Sequence, residues 1–333
     1  MRIIILLFTA IITLGSCKND PGNSNNAMES TSPQLERKPL SVPAFSADSA
    51  YLYLNKQLEF GPRIPNTNAH VETKDWLVTQ LKKFTDKVNV QEFTANRFDR
   101  TKLNGYNIIG SVNPDQSRRV LLLAHWDTRF IADHAIDPAN EGKGVMGADD
   151  GASGVAVLLE IARILKENPI DVGVDFLLTD LEDQGKSNDP DGVSWCLGAQ
   201  YWAKNPHKSA YNANFGILLD MVGAKGAKFK KEQISLNYAP EILRYVWQLA
   251  NSMGYGQYFI NEKLSGGVVD DHMFINRIIG IPTIDIINKP TNNSFGDHWH
   301  TENDNIDIID KSVLRAVGQV VTAVVYRFDA NYL

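Results

Sequence analysis

Cysteine is scarce in this sequence, with only Cys17 and Cys196 among 333 residues. That scarcity excludes a small disulfide-built domain, so stability has to come from a packed core and any bound metal. An excess of one charge is also lacking, since 33 Lys and Arg oppose 39 Asp and Glu for a net charge of -6. This balance gives no reason to expect nucleic acid or an anionic membrane surface as a partner.

The N-terminus carries a short apolar run, Ile3–Leu14. Such a run is too short to span a bilayer of ~30 Å as a stable helix, and it is typical of a signal peptide. Leu14-Gly15-Ser16-Cys17 resembles a bacterial lipobox, in which the cysteine becomes the lipidated first residue. The alternative is a plain secretory signal with an incidental Cys17.

These features predict three segments: a lipoprotein signal peptide at 1–16, a flexible tether at 17–42 that is rich in Asn, Ser and Pro, and a catalytic domain at 43–333. We expect an exported lipoprotein whose only membrane contact is its lipid anchor. Whether it faces the periplasm or the outer-membrane and cell surface is left open. The oligomeric state is also open, with a monomer favoured.

Continuous apolar runs alternate with helical patterns through the folded part. The runs that predict strands buried on both faces include Val120–Ala124, Val174–Leu178 and Phe215–Leu219, and Val155–Leu165 and Lys311–Phe328 have helical spacing. This alternation predicts a single-domain, three-layer α/β sandwich. Its sheet should be mixed but largely parallel, with helices on both faces.

Polar residues that can bind metal follow the predicted strands. In open α/β sheets the site lies beyond the carboxyl ends of the strands, so these groups should converge. Carboxylates and imidazoles without a thiolate suit Zn²⁺ in an open catalytic site. Taken singly, Asp149-Asp150 could be a helix N-cap and Glu182-Asp183 a solvated pair. The predicted set comprises His125, Asp127, Asp150, Glu182, Asp183, Asp220, Asp270, His298 and His300.

The block Gly147-Ala148-Asp149-Asp150-Gly151 before an amphipathic helix resembles the zinc-binding element of zinc-dependent aminopeptidases. The closer resemblance is to glutaminyl-peptide cyclotransferases, the glutaminyl cyclases of animals and Bacteroidetes-like bacteria. The blocks that carry it are Ala124-His125-Trp126-Asp127, Ser194-Trp195-Cys196-Leu197-Gly198, Leu218-Leu219-Asp220-Met221-Val222-Gly223, Asp270-Asp271-His272 and His298-Trp299-His300-Thr301. The resemblance implies a zinc aminopeptidase-like fold from about Phe60 onwards and a cis peptide bond between Asp150 and Gly151.

Two activities share this scaffold. The cyclase resemblance implies one zinc ion per chain, held by Asp150, Asp183 and His300. A di-zinc aminopeptidase, the main alternative, would hold a second zinc with His125 and Asp220 as well. All five positions are present, so the ligand set alone does not choose between them. A metal-free binding lipoprotein that has lost catalysis is the third alternative.

Asp270 favours the cyclase. Aminopeptidases of this type usually carry Ser-Asp-His where this chain has Asp270-Asp271-His272. The extra carboxylate matches one that hydrogen-bonds the catalytic glutamate in cyclases, and crowded carboxylates tend to hold a shared proton. Trp299, directly before His300, matches a pocket residue of the cyclases.

The resemblance therefore implies an acyltransferase that converts the N-terminal glutamine of peptides or proteins to pyroglutamate and releases ammonia. Glu182 would move the proton, assisted by Asp220 and Asp270. Two departures from the animal enzymes stand out: Asp183 replaces a glutamate ligand, and the loop at 184–194 has no tryptophan. Trp195 or Trp126 is expected to take the place of that missing pocket residue.

Overall fold

The computed structural model describes residues 36–292 and 294–333, and Arg37–Leu333 forms one folded unit. The predicted signal peptide, Cys17 and most of the predicted tether lie outside the described residues. Residues 37–42 of the predicted tether belong to this folded unit: Leu40 and Val42 pack on the core, and the Lys38 amide donates to the Ala330 carbonyl. Within the described ranges, no helix is long and apolar enough to cross a membrane.

Within residues 36–292 and 294–333, eight strands form two sheets. The large sheet has the order β1-β2-β4-β3-β5-β8, and β6 pairs with β7 in a small second sheet. Strands β4, β3, β5 and β8 run parallel to one another, whereas β2 and β1 are added antiparallel at one side. The strands are β1 Lys87–Asn96, β2 Lys102–Val112, β3 Arg119–His125, β4 Gly173–Thr179, β5 Phe215–Asp220, β6 Phe229–Lys231, β7 Phe259–Lys263 and β8 Thr283–Ile287.

Helices cover both faces of the large sheet. Successive side chains of a strand point to opposite faces. Accordingly, Leu122 of β3 packs into the layer that contains the longest helices, and Leu123 packs into the layer on the other face. The helices are α1 Ala47–Glu59, α2 Asn68–Phe84, α3 Ala152–Glu167, α4 Leu197–Lys204, α5 Gln233–Tyr238, α6 Pro240–Ser252, α7 Asp271–Phe274 and α8 Lys311–Asp329.

The two helical layers differ in size. Side chains of α2, α3, α6 and α8 form the larger core with one face of the sheet, and those of α4 and α7 form a smaller core with the other face. The predicted three-layer sandwich with a mixed, largely parallel sheet is therefore confirmed. The elements that sequence patterns did not predict are α4, α5, α7, β6 and β7, which are all eight residues or shorter. Such short elements hold too few periods for hydrophobic spacing to be distinctive.

Candidate active site

A cavity of about 220 Å³ opens at the carboxyl ends of the parallel strands. The strands β3, β4 and β5 end at His125, Thr179 and Asp220, so the residues that follow them meet at this edge of the sheet. The cavity is lined by one lysine, Lys289, and by the carboxyl and imidazole groups of Asp150, Glu182, Asp183, Asp220, Asp270 and His300. Most of the groups that the sequence analysis selected are thus brought to one place.

Asp150, Asp183 and His300 form a buried group that faces this cavity. One potential ligand atom from each lies within 4.8 Å of the others. His300 Nε2 lies 3.1 Å from Asp183 Oδ1 and 3.8 Å from Asp150 Oδ2. Apart from this imidazole, Asp183 Oδ1 has no hydrogen-bond partner among the described residues. A buried, underused carboxylate oxygen beside an imidazole is a donor set that fits a zinc ion.

His125, Asp150 and Asp220 form a second group of the same kind. His125 Nε2 lies 2.9 Å from Asp150 Oδ1 and 3.2 Å from Asp220 Oδ1. Asp150 belongs to both groups, as a bridging ligand would. His125, however, is 1% exposed and lies behind the cavity wall.

The turn that carries Asp150 is held from two sides. The peptide bond between Asp150 and Gly151 is cis, as predicted. The carboxylate of Asp304 accepts hydrogen bonds from the backbone amides of Asp149 and Asp150, at 2.7 and 3.2 Å. The carboxylate of Asp149 in turn accepts the amide of Gly223 and contacts His298 Nε2. The orientation of Asp150 therefore depends on a network that joins three loops.

His298 has a place in this network rather than in the cavity. Burial alone would lower its pKa, but the hydrogen bond to Asp149 and the charge of that carboxylate raise it. Burial also opposes charge on His300, yet Asp183, Asp133 and Asp150 raise the pKa of that imidazole to about 9. The neighbouring carboxylates therefore favour the protonated form of both histidines.

The loop that follows β4 is held by Asp127. Its carboxylate accepts the backbone amides of Glu182 and Asp183, at 3.0 and 3.1 Å, and the side-chain amide of Gln184 at 3.0 Å. Arg129 supports the same loop from the other side, because its Nη1 donates to the carbonyls of Asp183 and Gly185. Since Asp127 and Arg129 are themselves buried, the positions of Glu182 and Asp183 are tightly defined.

Glu182 lies between a thiol and a carboxyl group. Cys196 Sγ is 3.2 Å from Glu182 Oε1, and atoms of Glu182, Cys196 and Asp270 lie within 4.8 Å of one another. Burial and the nearby Asp270, Asp183 and Asp271 carboxyls raise the pKa of Glu182 well above its ordinary value, although His125 opposes the shift. Burial and the charges of Asp220 and Asp271 likewise raise the pKa of Asp270. These groups cannot all be ionised, so they hold protons between them.

Asp220 is another buried carboxyl group of this cluster. Burial is the main reason that its pKa rises to about 7, with the charges of Asp150 and Asp149 adding to the effect and His125 opposing it. Asp220 thus belongs to the second candidate metal group, and its charge also acts on Asp270.

Aromatic side chains form the rest of the cavity wall. Trp195 and Trp299 both line it. The Trp299 indole stacks on the His300 ring with centroids 3.9 Å apart. A Cβ atom at Gly185 would lie 2.0 Å from the Trp195 indole, so a glycine is required for that approach.

Trp126 does not line the cavity, which corrects the prediction that it is a pocket residue. Its side chain is fully buried, stacks on the His70 ring at 4.4 Å, and donates from Nε1 to the Tyr106 carbonyl. Adjacent side chains at the end of a strand point to opposite faces of the sheet. Trp126, which follows His125, therefore points away from the site.

Several supporting residues were missed from the sequence. Arg63 is fully buried and donates to the carbonyls of Trp126, Met146 and Gly147. Burial lowers its pKa to about 10 despite the surrounding carboxylates. A weak signal existed, because Arg63 sits in the rigid Gly61-Pro62-Arg63 turn. No signal of spacing marks Asp133 or Asp304, which act over long sequence separations.

The fold and the two neighbouring groups of candidate metal ligands place this protein in the class of zinc-dependent exopeptidase-like proteins. The model for Peptidase family M28 matches residues 107–325, and the chain belongs to that family. It is 47% identical to the glutaminyl cyclase of Bacteroides thetaiotaomicron, crystallised with N-acetylhistamine, with a TM-score of 0.83 over 86% of this chain and 99% of that chain. It is therefore closely similar to a bacterial glutaminyl cyclase.

Two further relatives show the range of activities around this fold. A zinc-dependent exopeptidase from Parabacteroides distasonis is 48% identical, with a TM-score of 0.83 over 86% of this chain and 99% of that one. The glutaminyl-peptide cyclotransferase of Drosophila melanogaster is 25% identical over 272 residues, which are 75% of this chain and 72% of the fly protein. One solved structure named as a glutaminyl cyclase and one named as an exopeptidase are therefore about equally similar to this chain, at 47% and 48% identity.

We predict that Asp127→Asn destabilises the protein by about 2–3 kcal/mol, because an amide can no longer accept all three loop hydrogen bonds and leaves buried N–H groups unsatisfied. Urea unfolding measures the change. Asp75→Asn is the control, because that side chain is 69% exposed and its removal should change stability by no more than about 0.5 kcal/mol. Equal unfolding midpoints for the two variants would contradict the role of Asp127.

Proposed function

We propose that this protein is a glutaminyl-peptide cyclotransferase, which closes the N-terminal glutamine of a peptide into pyroglutamate and releases ammonia. The observation that carries the proposal is the carboxyl of Asp270 beside Glu182 at the cavity wall. Hydrolysis of a peptide bond needs one base that activates water. Cyclisation instead moves a proton from the substrate amine to its own leaving group, and two adjacent carboxyls that share protons suit that transfer.

The lone pair of the neutral substrate α-amine attacks the γ-carbon of the glutamine side chain, and Glu182 accepts the proton that this nitrogen loses as the new C–N bond forms. Glu182 then returns the proton to the departing ammonia, so the proton count of the enzyme is unchanged. Asp270 and Asp220 hold the protons that Glu182 exchanges with. Since both reacting groups belong to one residue of the substrate, the enzyme contributes orientation and electrostatics.

We propose one zinc ion per chain, held by Asp150, Asp183 and His300, and all three of these residues line the cavity. A zinc ion there would act as a Lewis acid toward the γ-carbonyl of the substrate. Trp195 and Trp299 would enclose the glutamine side chain from the two sides of this site. The shared stacking of both indoles with His300 supports that arrangement, at centroid distances of 6.0 and 3.9 Å.

Peptides or proteins with an N-terminal glutamine are the proposed substrates, and the proposed form is a monomer. The location proposed is outside the cytoplasm, with the chain anchored through a lipid on Cys17. The lipobox-like sequence before Cys17 supports this location.

A di-zinc aminopeptidase is the second candidate, and the group formed by His125, Asp150 and Asp220 favours it. That group completes the five ligands of a two-metal centre with Asp150 shared. Against it stands the position of His125 behind the cavity wall, whereas Asp150, Asp183 and His300 all line the cavity.

The test of the main proposal is a Gln-Ala-type peptide incubated with the zinc-loaded protein. We expect ammonia and a pyroglutamyl peptide in equal amounts, detected by a coupled ammonia assay and by mass spectrometry. A peptide that starts with Leu serves as the matched control and should remain intact. Release of free amino acid without lactam would refute the proposal in favour of the aminopeptidase.

We predict that Glu182→Gln keeps its zinc and its fold but loses cyclase activity by about 10²–10⁴-fold, because the amide cannot take up a proton. Steady-state kinetics and metal analysis on the same sample measure both properties. Full activity in the variant would remove Glu182 from proton transfer.

We also predict one zinc ion per chain after dialysis against a weak chelator, and loss of activity when a strong chelator removes it. Elemental analysis measures the ratio. Two tightly held ions per chain, with the second lost in His125→Ala, would instead support the aminopeptidase.

A further inference from the structure

Among the described residues, Lys289 is the one lysine in the wall of the cavity, and the proposed proton transfer does not use it. Its side chain is partly exposed. Burial lowers the pKa of its ammonium, and no carboxylate of the described residues opposes this shift. A partly buried cation without an anionic partner loses hydration that nothing in the chain replaces. A ligand with a negative charge would supply the missing partner.

The backbone holds Lys289 in a defined place. The residue follows β8 by two positions, and its amide donates to the Lys228 carbonyl at 3.2 Å. The preceding residue, Asn288, forms an isolated antiparallel bridge with Phe229. Pro290 follows and restricts the backbone of Lys289 to extended conformations. The root of the side chain is therefore fixed, although the ammonium is partly exposed.

A row of aromatic rings connects the candidate metal group with Lys289. The centroids of the His300 and Trp299 rings are 3.9 Å apart, and those of Trp299 and Phe295 are 4.7 Å apart. Lys289 Nζ lies 3.7 Å from the centroid of the Phe295 ring. The ring face attracts the cation, but an ammonium has three N–H donors, so donors remain for an anion. All four of these side chains line the cavity.

Opposite charges occupy different parts of this cavity. Burial opposes charge on both His300 and Lys289, but carboxylates raise the pKa of His300, whereas none acts on Lys289. The lysine therefore lies apart from the carboxyl groups that surround the candidate metal ligands. A peptide whose α-amine is near Glu182 would meet acidic groups at its N-terminus and a cation further along the cavity.

The length of the aromatic row suits the residue after the glutamine. Its three contacts, from His300 to Lys289, are 3.9, 4.7 and 3.7 Å long. An extended residue spans about 3.3–3.6 Å, so the row is no longer than about three to four residues. When the glutamine side chain is at the metal group, a carboxylate on the next residue is thus within reach of the ammonium.

We infer that Lys289 determines substrate specificity by binding a carboxylate on the residue that follows the N-terminal glutamine. The carboxylate belongs to the side chain of an acidic second residue or, in a dipeptide, to the chain terminus. This inference rests on the proposed cyclase function. The ammonium and the bound carboxylate form a charge-assisted hydrogen bond in a partly buried site.

The test measures kcat/KM for two pairs of peptides with the zinc-loaded protein. Gln-Glu-Ala amide and Gln-Gln-Ala amide differ in a side-chain carboxylate, and Gln-Ala and Gln-Ala amide differ in a terminal one. We expect the wild type to favour the carboxylate by about three- to tenfold in the pair that contains the true source. Because a carboxylate also changes the basicity of the α-amine, the ratio within each pair is the quantity compared between variants.

Three substitutions at Lys289 separate charge from packing. Lys289→Met keeps the unbranched stem without the charge, so its ratio should fall to about one or below, because only the acidic groups of the cavity then act on the anion. Lys289→Arg keeps the charge and should keep the preference. Lys289→Glu should favour Gln-Lys-Ala amide over Gln-Glu-Ala amide.

Lys82→Met is the matched control, because Lys82 is an exposed residue in the last turn of α2 and does not line the cavity. Its ratios should equal those of the wild type. A general loss of activity in any variant cancels in the ratio, so a merely structural role of Lys289 would leave the ratio unchanged.

Equal ratios in the wild type and Lys289→Met, for both pairs, would overturn the inference. If Lys289→Met does not fold, the wild type decides: a preference that weakens with added salt supports the ion pair, and one that salt does not change overturns it. Failure of the proposed function is separate, because it appears as release of free glutamine without ammonia or lactam. The same ratios can then be measured on that reaction.

Discussion

Repulsion between buried carboxylates is the constraint on which the rest of this structure depends. Asp150, Asp183, Asp220 and Asp270 are each no more than 6% exposed and lie around one small cavity. Burying an isolated ionised carboxylate costs far more free energy than any single packing contact returns. The site therefore exists only because cations, backbone amides and shared protons offset that repulsion.

These three compensations act mainly on different carboxyl groups. Backbone amides donate to Asp127, Asp149 and Asp304, the carboxyl groups that hold loops rather than face the cavity. Imidazoles face the carboxylates that could bind metal. Shared protons are left for the end of the cavity near Asp270, where neither amides nor cations suffice. This division would let one crowded site contain loop-holding carboxyl groups beside those proposed to bind metal and to transfer protons.

The sequence was sufficient for the part of the site that follows from strand order. His125, Glu182, Asp183 and Asp220 stand directly at or after apolar runs, and parallel strands bring such positions to one edge of the sheet. Periodicity also located the long helices and the buried strands. Periodicity does not predict the direction in which a strand-end side chain points. For that reason the sequence offers Trp126 as a pocket residue, whereas its side chain is buried against His70.

What the sequence could not indicate are contacts between residues far apart in the chain. Asp304 reaches Asp149 across 155 positions and Glu232 reaches His272 across 40, and no local pattern records such pairings. Asp285 is the clearest case. In the sequence it interrupts an otherwise apolar strand, Ile284-Asp285-Ile286-Ile287, which gives no function. Its burial near Asp270 and His272 is a property of the folded chain that the sequence does not indicate.

The path of the proton determines how one fold can support two reactions. A peptidase and a cyclase both need a polarised carbonyl and a base, so the metal ligands and Glu182 alone do not distinguish them. They differ in where the proton goes after the base has taken it. Hydrolysis passes it to a leaving amine after water has attacked, whereas cyclisation returns it to ammonia from the same substrate residue. Under the proposed cyclase function, the Asp270 carboxyl near Glu182 would assist the second of these steps, whereas the first would depend on the metal ligands and Glu182.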